Sequence, residues 1–429
     1  MAKFVIIGGG LSGIASAVFL THNQQNITLL EASPKLGGKA YSFQDKITEN
    51  FIDNGQHILI GAYNNTFELL KILKVENRFY YQPALKVNYV NRNKEKIFLN
   101  AKNKFYPFNL LGAILRFNIL NFNEKMLLIK LFSKLPLVKE TKIKNKTVLE
   151  WLKDNKQSEN SVKMFWELLT VSVMNTPIKE ASAKVFVSVL KKLFMKGNKA
   201  SRLIIPQYGL SEIFTKPAKQ YLQSRKAEIN LSEKVVSIKT DGEKIKKIIT
   251  IKKEYTDFDY VISAVPFYSL KKILPKLSFE SLLNNKITFS PIITVHLWLN
   301  KKLFEEKFYG LLNSKIHWIF NNVNHISLVI SSAEKLIKLD SKKIFQICIY
   351  ELKNYFPKIK NLKILHYKVI KEKRATFKSS VEYEKVRNKI ISPYKNLQLA
   401  GDWTNTKLPA TIEGAILSGK KVLQILSKP

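Results

Sequence analysis

The clearest alternation between apolar and polar positions lies in the first thirty-one residues. Phe4, Val5, Ile6 and Ile7 form an apolar run of strand length, and Gly8, Gly9, Gly10, Leu11, Ser12 and Gly13 follow it directly. Beyond the glycines, Leu11, Ile14, Ala15, Val18 and Phe19 recur at the spacing of a helix that buries one face. A second strand, Ile27 to Leu30, ends in the acid Glu31. The expected unit is therefore strand, tight glycine turn, helix, strand and carboxylate.

That order fits a dinucleotide-binding turn. Gly8 lets the chain leave the strand sharply, Gly10 lets backbone approach a pyrophosphate, and Gly13 lets the helix pack close to the sheet. Ser12 sits in the first helical turn, whose free N–H groups and dipole face the phosphates. Glu31 stands where a carboxylate accepts from both ribose hydroxyls, and its charge would repel a 2′-phosphate, so NADP is not expected. Three consecutive glycines would break the apolar core of a secretory leader, which favours the strand–turn–helix reading. A second pair, Gly37 and Gly38, precedes Lys39 and makes a further loop against the same ligand. Such a pair points to FAD, with Lys39 as a point charge on the pyrophosphate.

Farther on, Asp53, Asn54, Gly55, Gln56 and His57 set polar groups before the apolar run from Ile58 to Ile60. From Phe105 to Val138 the chain is strongly apolar, yet Arg116, Glu124, Lys125 and Lys130 interrupt it before it reaches a membrane span. Two helices with lysine rims are expected there, packed in a core, walling a greasy cavity or lying on a bilayer surface. Residues 147–197 read as helical, with a stop at Met174, Asn175, Thr176 and Pro177. Strand patterns return at Val235 to Ile238, which includes Val236, at Ile245 to Ile251 and at Val261 to Val265. Further strands are expected at Ile292 to Leu299, Ile326 to Ser331 and Ile344 to Tyr350.

Close to the C-terminus a short strand, Leu397 to Leu399, delivers Gly401, Asp402 and Trp403. A helix then begins near Thr411, the expected N-cap, with Glu413 in its first turn. Ile412, Ala415, Ile416, Gly419, Val422, Leu423 and Leu426 are its expected buried stripe. Such a helix N-terminus stabilises the negative charge that the N1/C2 edge of a flavin gains on reduction, and Asp402 is placed to hold a ribityl hydroxyl.

Composition narrows the partners. The 429 residues suffice for two domains, and a hydrophobic content of 45% excludes a disordered chain. Cys348 is the single cysteine, so no internal disulfide forms, and a cytoplasmic setting is expected. The net charge of +38 comes from 64 lysines against 7 arginines, without an arginine-rich patch. Nucleic acid is therefore not an expected partner, while an anionic membrane surface and a plain compositional bias both account for the lysines. The six histidines are scattered without ligand spacing, and no metal site is expected.

Taken together, these blocks resemble the FAD-dependent amine oxidase and polyene desaturase superfamily, and most closely its squalene-associated members, the hydroxysqualene dehydroxylases. The resemblance also takes in Trp166, Asn175 to Pro177, Arg374 to Phe377, and Leu408 to Ala415. Lys39 departs from the arginine frequent at its position. The resemblance implies an α/β fold with a Rossmann-like FAD-binding domain from residues 1–75, 205–265 and 386–429. A discontinuous α+β substrate domain would come from 76–204 and 266–385, with 105–138 facing the membrane.

It also implies cofactor contacts at Gly8, Gly10, Ser12, Gly13, Glu31, Gly37, Gly38, Lys39, Gly55, Val236, Gly401, Asp402, Thr411, Ile412 and Glu413. The implied activity is reduction of hydroxysqualene to squalene in hopanoid or squalene biosynthesis, on a lipophilic isoprenoid substrate and with an unnamed electron donor for the flavin. In that chemistry His57 is the expected general acid, and Trp403 the aromatic face that stabilises positive charge on the carbinol carbon. Leu110, Leu111, Ile114 and Leu115 would admit the lipid from the inner face of the membrane. A polyene desaturase, an amine oxidase and a non-catalytic lipid-binding flavoprotein are the alternatives.

Overall fold

A strand that is apolar at every position is buried on both faces, and sheets covered on both faces are built from parallel strands with helical crossovers. In the computed structural model, which describes residues 1–102, 105–274, 283, 284 and 286–426, β1 (Lys3–Ile7) lies at the centre of such a sheet. The order is β3 (Glu228–Asn230), β2 (Asn26–Leu30), β1, β4 (Tyr260–Ser263), β5 (Leu397–Leu399), and every pairing is parallel. Helix α1 (Leu11–His22) connects β1 to β2. It packs against the C-terminal helix α6 (Ile412–Lys420) so closely that a Cβ on Gly419 would stand 2.4 Å from the Ser12 carbonyl oxygen.

The α6 stripe is buried at Ile412, Ile416, Gly419 and Val422, but Leu426 is 40% exposed. The helix tightens into a 3₁₀ turn over Lys421–Ile425, and the change from 3.6 to 3.0 residues per turn carries Leu426 out of phase with the core.

A second, seven-stranded sheet runs Ile364–Phe377, Phe289–Leu299, Ile326–Ile330, Trp318–Asn321, Phe308–Leu311, Lys86–Val90, Lys96–Asn100. Its pairings are antiparallel except for Phe308–Leu311 on Lys86–Val90. Residues 344–350, expected as a strand, belong instead to the helix Ser341–Tyr355. Asp340 caps it by accepting from the Lys343 N–H at 2.8 Å, and Ile344, Cys348, Leu352 and Tyr355 fall buried at helical spacing. Continuous apolar content alone does not separate a strand from a buried helical face; the cap does.

A small sheet of Leu59–Ile60, Leu203–Pro206 and Phe79–Tyr81 joins the two parts. Helix α2 (Asn64–Ile72) leads away from it. The apolar stretch after residue 105 forms α3 (Phe108–Leu115) and α4 (Phe122–Lys134), the latter opened by a capping box between Asn121 and Glu124. Helix α5 (Ala183–Phe194) belongs to the helical stretch expected over 147–197, and Asn175 ends the helix before it in the left-handed region at φ 45°. Among the described residues no helix is long and apolar enough to cross a membrane.

Candidate active site

The glycines after β1 do different jobs. Gly8 has φ 105°, and a Cβ on Gly13 would lie 1.8 Å from the Gly8 carbonyl oxygen, so both are required by the fold itself. Gly10 is different. Its φ is −71°, open to any residue, and a Cβ there would meet nothing nearer than the Gly38 Cα at 3.9 Å. The space beside Gly10 is thus left clear without any need of the protein's own packing. The second glycine loop closes on it: the Gly37 N–H donates to the Gly9 carbonyl at 2.8 Å, and Gly38 approaches Gly10.

Around this gap the first N–H groups of α1 have no intrahelical acceptor. Glu31 is fixed by two backbone donors, Gly9 N–H at 2.6 Å and Ser33 N–H at 2.7 Å, one on each carboxylate oxygen. Each oxygen keeps a lone pair for a further donor. Lys39 Nζ lies 3.8 Å from the Asp402 carboxylate, which brings the second loop and the C-terminal segment to one place. A bulge between Val235 and Ser237 leaves Val236 out of its ladder, with its backbone groups free of strand pairing.

The segment before α6 is organised by a residue that the sequence did not single out. Arg387 is fully buried and donates to the carbonyls of Asp402, Thr404 and Leu408 and to Thr406 Oγ1, while pairing with Glu384. One guanidinium therefore shapes the whole 402–408 loop. At its end Thr411 Oγ1 accepts from the Gly414 N–H at 3.0 Å, the expected cap.

Three expectations change here. Glu413 does not face a cofactor: its carboxylate accepts from Asn65 N–H and Nδ2 and from Thr66 N–H and Oγ1, at 2.7–3.1 Å, which uses its four acceptor positions to cap α2. Trp403 does not line a cavity. Its ring folds under Gly401, packs on Phe267 and donates from Nε1 to the Val265 carbonyl at 3.2 Å, so no face is open to a carbocation. His57 is poorly set as an acid. Its Nδ1 lies 2.8 Å from the Gly55 carbonyl and so carries the hydrogen, while loss of water around the ring holds its pKa below the usual histidine value. The ring is neutral at pH 7, with only an Nε2 lone pair to offer.

The neighbouring Asp53 is structural, accepting from Ser42 Oγ and the Leu210 N–H, and burial pushes its pKa up to about 6. Sequence spacing also missed a histidine cluster. His296 Nε2 reaches the Asp53 carbonyl at 3.1 Å, His325 lies 5.0 Å from His296, and Trp298 bridges His325 and His366. Among the described residues no group of three ligating side chains is placed to hold a metal.

Beside the α6 N-terminus lies a partly open cleft. Ile60, Ala62, Val173, Val189, Leu193, Leu408 and Pro409 make its apolar walls, and Tyr63, Lys192, Thr411 and Glu413 are its polar ones.

The sequence profile of the flavin containing amine oxidoreductase family matches residues 11–424. This chain belongs to that family. It is an FAD-dependent oxidoreductase, and the clear space at Gly10, flanked by helix N–H groups and Glu31, fits the dinucleotide. The hydroxysqualene dehydroxylase of Zymomonas mobilis is 28% identical over 428 residues, covering 97% of this chain and 96% of the relative. A 15-cis-phytoene desaturase from an Oncidium hybrid cultivar is 27% identical, covering 99% of this chain and 77% of its own length. Among solved structures, cyclohexylamine oxidase from Brevibacterium oxydans has the same fold, with a TM-score of 0.73 at 14% identity and full coverage of both chains.

Proposed function

We propose that this flavoenzyme reduces hydroxysqualene to squalene. The observation that carries the reading is the chemistry of the cavity beside α6. Among the described lining residues the carboxylate is Glu413, whose acceptor positions are taken by Asn65 and Thr66, and the cation is Lys192. A charged amine would find the carboxylate's acceptor positions already taken and a lysine ammonium beside it, whereas a neutral hydrocarbon alcohol suits the apolar walls. The end-to-end similarity to the Zymomonas mobilis enzyme names the alcohol.

In this reading Gly10, Ser12 and Gly13 hold the pyrophosphate through backbone N–H groups, with Gly8, Gly37 and Gly38 shaping the loops around it. Glu31 takes the adenosine ribose, Val236 the adenine, and Lys39 the phosphates. Gly55, Gly401, Asp402, Thr411 and Ile412 lie along the flavin half, where the α6 N-terminus offers its positive end. Bound there and reduced, FAD would supply the hydride for the carbinol carbon. The apolar walls keep water from that carbon as the hydroxyl leaves. Anaerobic reduction of the holoenzyme followed by hydroxysqualene is expected to return the oxidised flavin spectrum with one squalene per flavin. A flavin that stays reduced, in an enzyme whose oxidised form desaturates a polyene, would establish the direction of the phytoene desaturases instead.

A hydrocarbon substrate comes from a bilayer, and α3 and α4 are the proposed contact. Phe105, Phe108, Phe122 and Leu137 are 78%, 67%, 70% and 79% exposed, among the exposed Lys102, Lys130, Lys134 and Lys139. Of the four residues expected at this entrance, Ile114 faces the core and Leu110 and Leu111 are half-buried, leaving Leu115 with the outer ring. Changing Phe105, Phe108 and Phe122 together to serine is expected to weaken binding to anionic liposomes by roughly tenfold or more, from the apolar area no longer buried. Unchanged sedimentation with the liposomes would remove this face from the proposal.

A further inference from the structure

Loss of a hydroxyl needs a proton, and the structure narrows its source. His57 is neutral with its one N–H on a carbonyl. Tyr63 has its phenol against Thr411, and burial together with Glu413 raises its pKa, so it is a weak acid. Lys192 is placed differently. Its position on α5 follows Val189 by three residues and precedes Leu193, so all three line one helix face and one cavity wall. Among the described residues no carboxylate lies within ion-pair distance of its ammonium and no acceptor takes its protons. Glu413, the acid across the cavity, is already saturated. A half-buried ammonium without a protein partner keeps its donors available to a ligand oxygen.

Resting on the dehydroxylation reading above, we propose that Lys192 is the catalytic acid: its ammonium binds the substrate hydroxyl and protonates it as the C–O bond breaks. The bonding pair leaves with oxygen, one proton from Nζ makes that oxygen water, and the carbon takes a hydride from the reduced flavin. The products are squalene, water, oxidised flavin and a neutral Lys192 amine that regains its proton from solvent. The surroundings ease the transfer. Burial lowers the Lys192 pKa, the facing Glu413 opposes that shift, and Lys407 adds to it. Lys421, itself lowered by burial and by Arg387, Lys407 and Lys192, adds positive charge behind. An ammonium weakened in this way is a stronger acid than a solvated lysine.

Single turnovers of prereduced holoenzyme with hydroxysqualene, from about pH 6 to pH 10, test the assignment. The native rate is expected to fall as pH rises through one ionisation below 10.5. Lys192→Met is expected to retain bound FAD, to react roughly 100-fold or more slowly, and to lose that pH dependence. Ethylammonium added to Lys192→Ala should restore at least part of the rate, which a merely structural lysine would not allow. A readout without turnover is affinity for the oxidised holoenzyme: native protein should prefer hydroxysqualene to squalene, and Lys192→Met should bind the two alike.

A methionine variant within about threefold of the native rate, or one with the native pH profile, overturns the assignment. So does a variant whose flavin potential moves while the profile stays, since the cation then serves the cofactor. Native enzyme that forms no squalene overturns the dehydroxylation reading as well, and is told apart by the native control alone.

Discussion

Gly10→Ala is expected to leave the apoprotein as stable as the native chain and to weaken FAD binding by roughly 100-fold or more, whereas Gly13→Ala does its damage in the fold. The two substitutions add the same methyl group three residues apart. At Gly10 the backbone is extended at φ −71° and the added carbon has 3.9 Å of clearance, so nothing in the protein resists it. It projects instead into the gap between the glycine loops where the pyrophosphate is proposed to lie. At Gly13 the added carbon would sit 1.8 Å from the Gly8 carbonyl oxygen and 3.3 Å from the Ala264 Cβ. Helix α1 must lift from β1, at a cost of about 3 kcal/mol or more. Urea unfolding of the apoproteins and FAD titration separate the effects. If Gly10→Ala binds FAD like the native chain, the pyrophosphate does not pass beside Gly10.

Glu413→Ala should destabilise the protein by about 3–5 kcal/mol while changing FAD affinity less than about fivefold in the folded fraction. The carboxylate is buried and gathers four donors at the start of α2, two of them backbone N–H groups at a helix end. Removing it orphans all four in a place that water reaches poorly. Glu413→Gln keeps one acceptor oxygen but turns an NH₂ towards donors, so its loss should fall between native and alanine. The measurement is chemical unfolding monitored by circular dichroism, beside FAD titration. A large loss of FAD affinity at native stability would return Glu413 to the cofactor.

The two results bear on how the enzyme is assembled. Helix α6 carries its cap, Thr411, and two residues later an acid that locks α2, the helix following the polar block at Asp53–His57. Thr411 and Glu413 both border the cavity, as does Lys192 from α5. This cleft is thus bordered by chain segments far apart in sequence, and its chemistry depends on which of its polar groups the protein has already bonded. Glu413 has its acceptor positions filled by hydrogen bonds; among the described residues Lys192 has no such partner.

Local chemistry sufficed for much of this molecule. The run Phe4–Ile7, the glycines and Glu31 could fold only as strand, turn, helix and strand, because each step needs its own residue types and those residues are adjacent. The Thr411 cap and the helix stop at Asn175 are likewise local, since a cap is made within one turn. The identity of Ile344–Tyr350 as a helix was also local, but it lay in Asp340 rather than in the apolar pattern.

What the sequence could not determine was which polar side chains remain unsatisfied once the chain has closed. Glu413 and Trp403 stand beside residues proposed to bind the cofactor, yet long-range partners, Asn65 and Thr66 for one and Val265 and Phe267 for the other, hold them elsewhere. Arg387 and Lys192 look like any of the chain's many cations until tertiary packing buries one among carbonyls and sets the other at the cleft wall, without a partner among the described residues. Hydrogen-bond capacity is finite, so a residue's availability for chemistry is decided by contacts hundreds of residues away, and only the folded chain contains them.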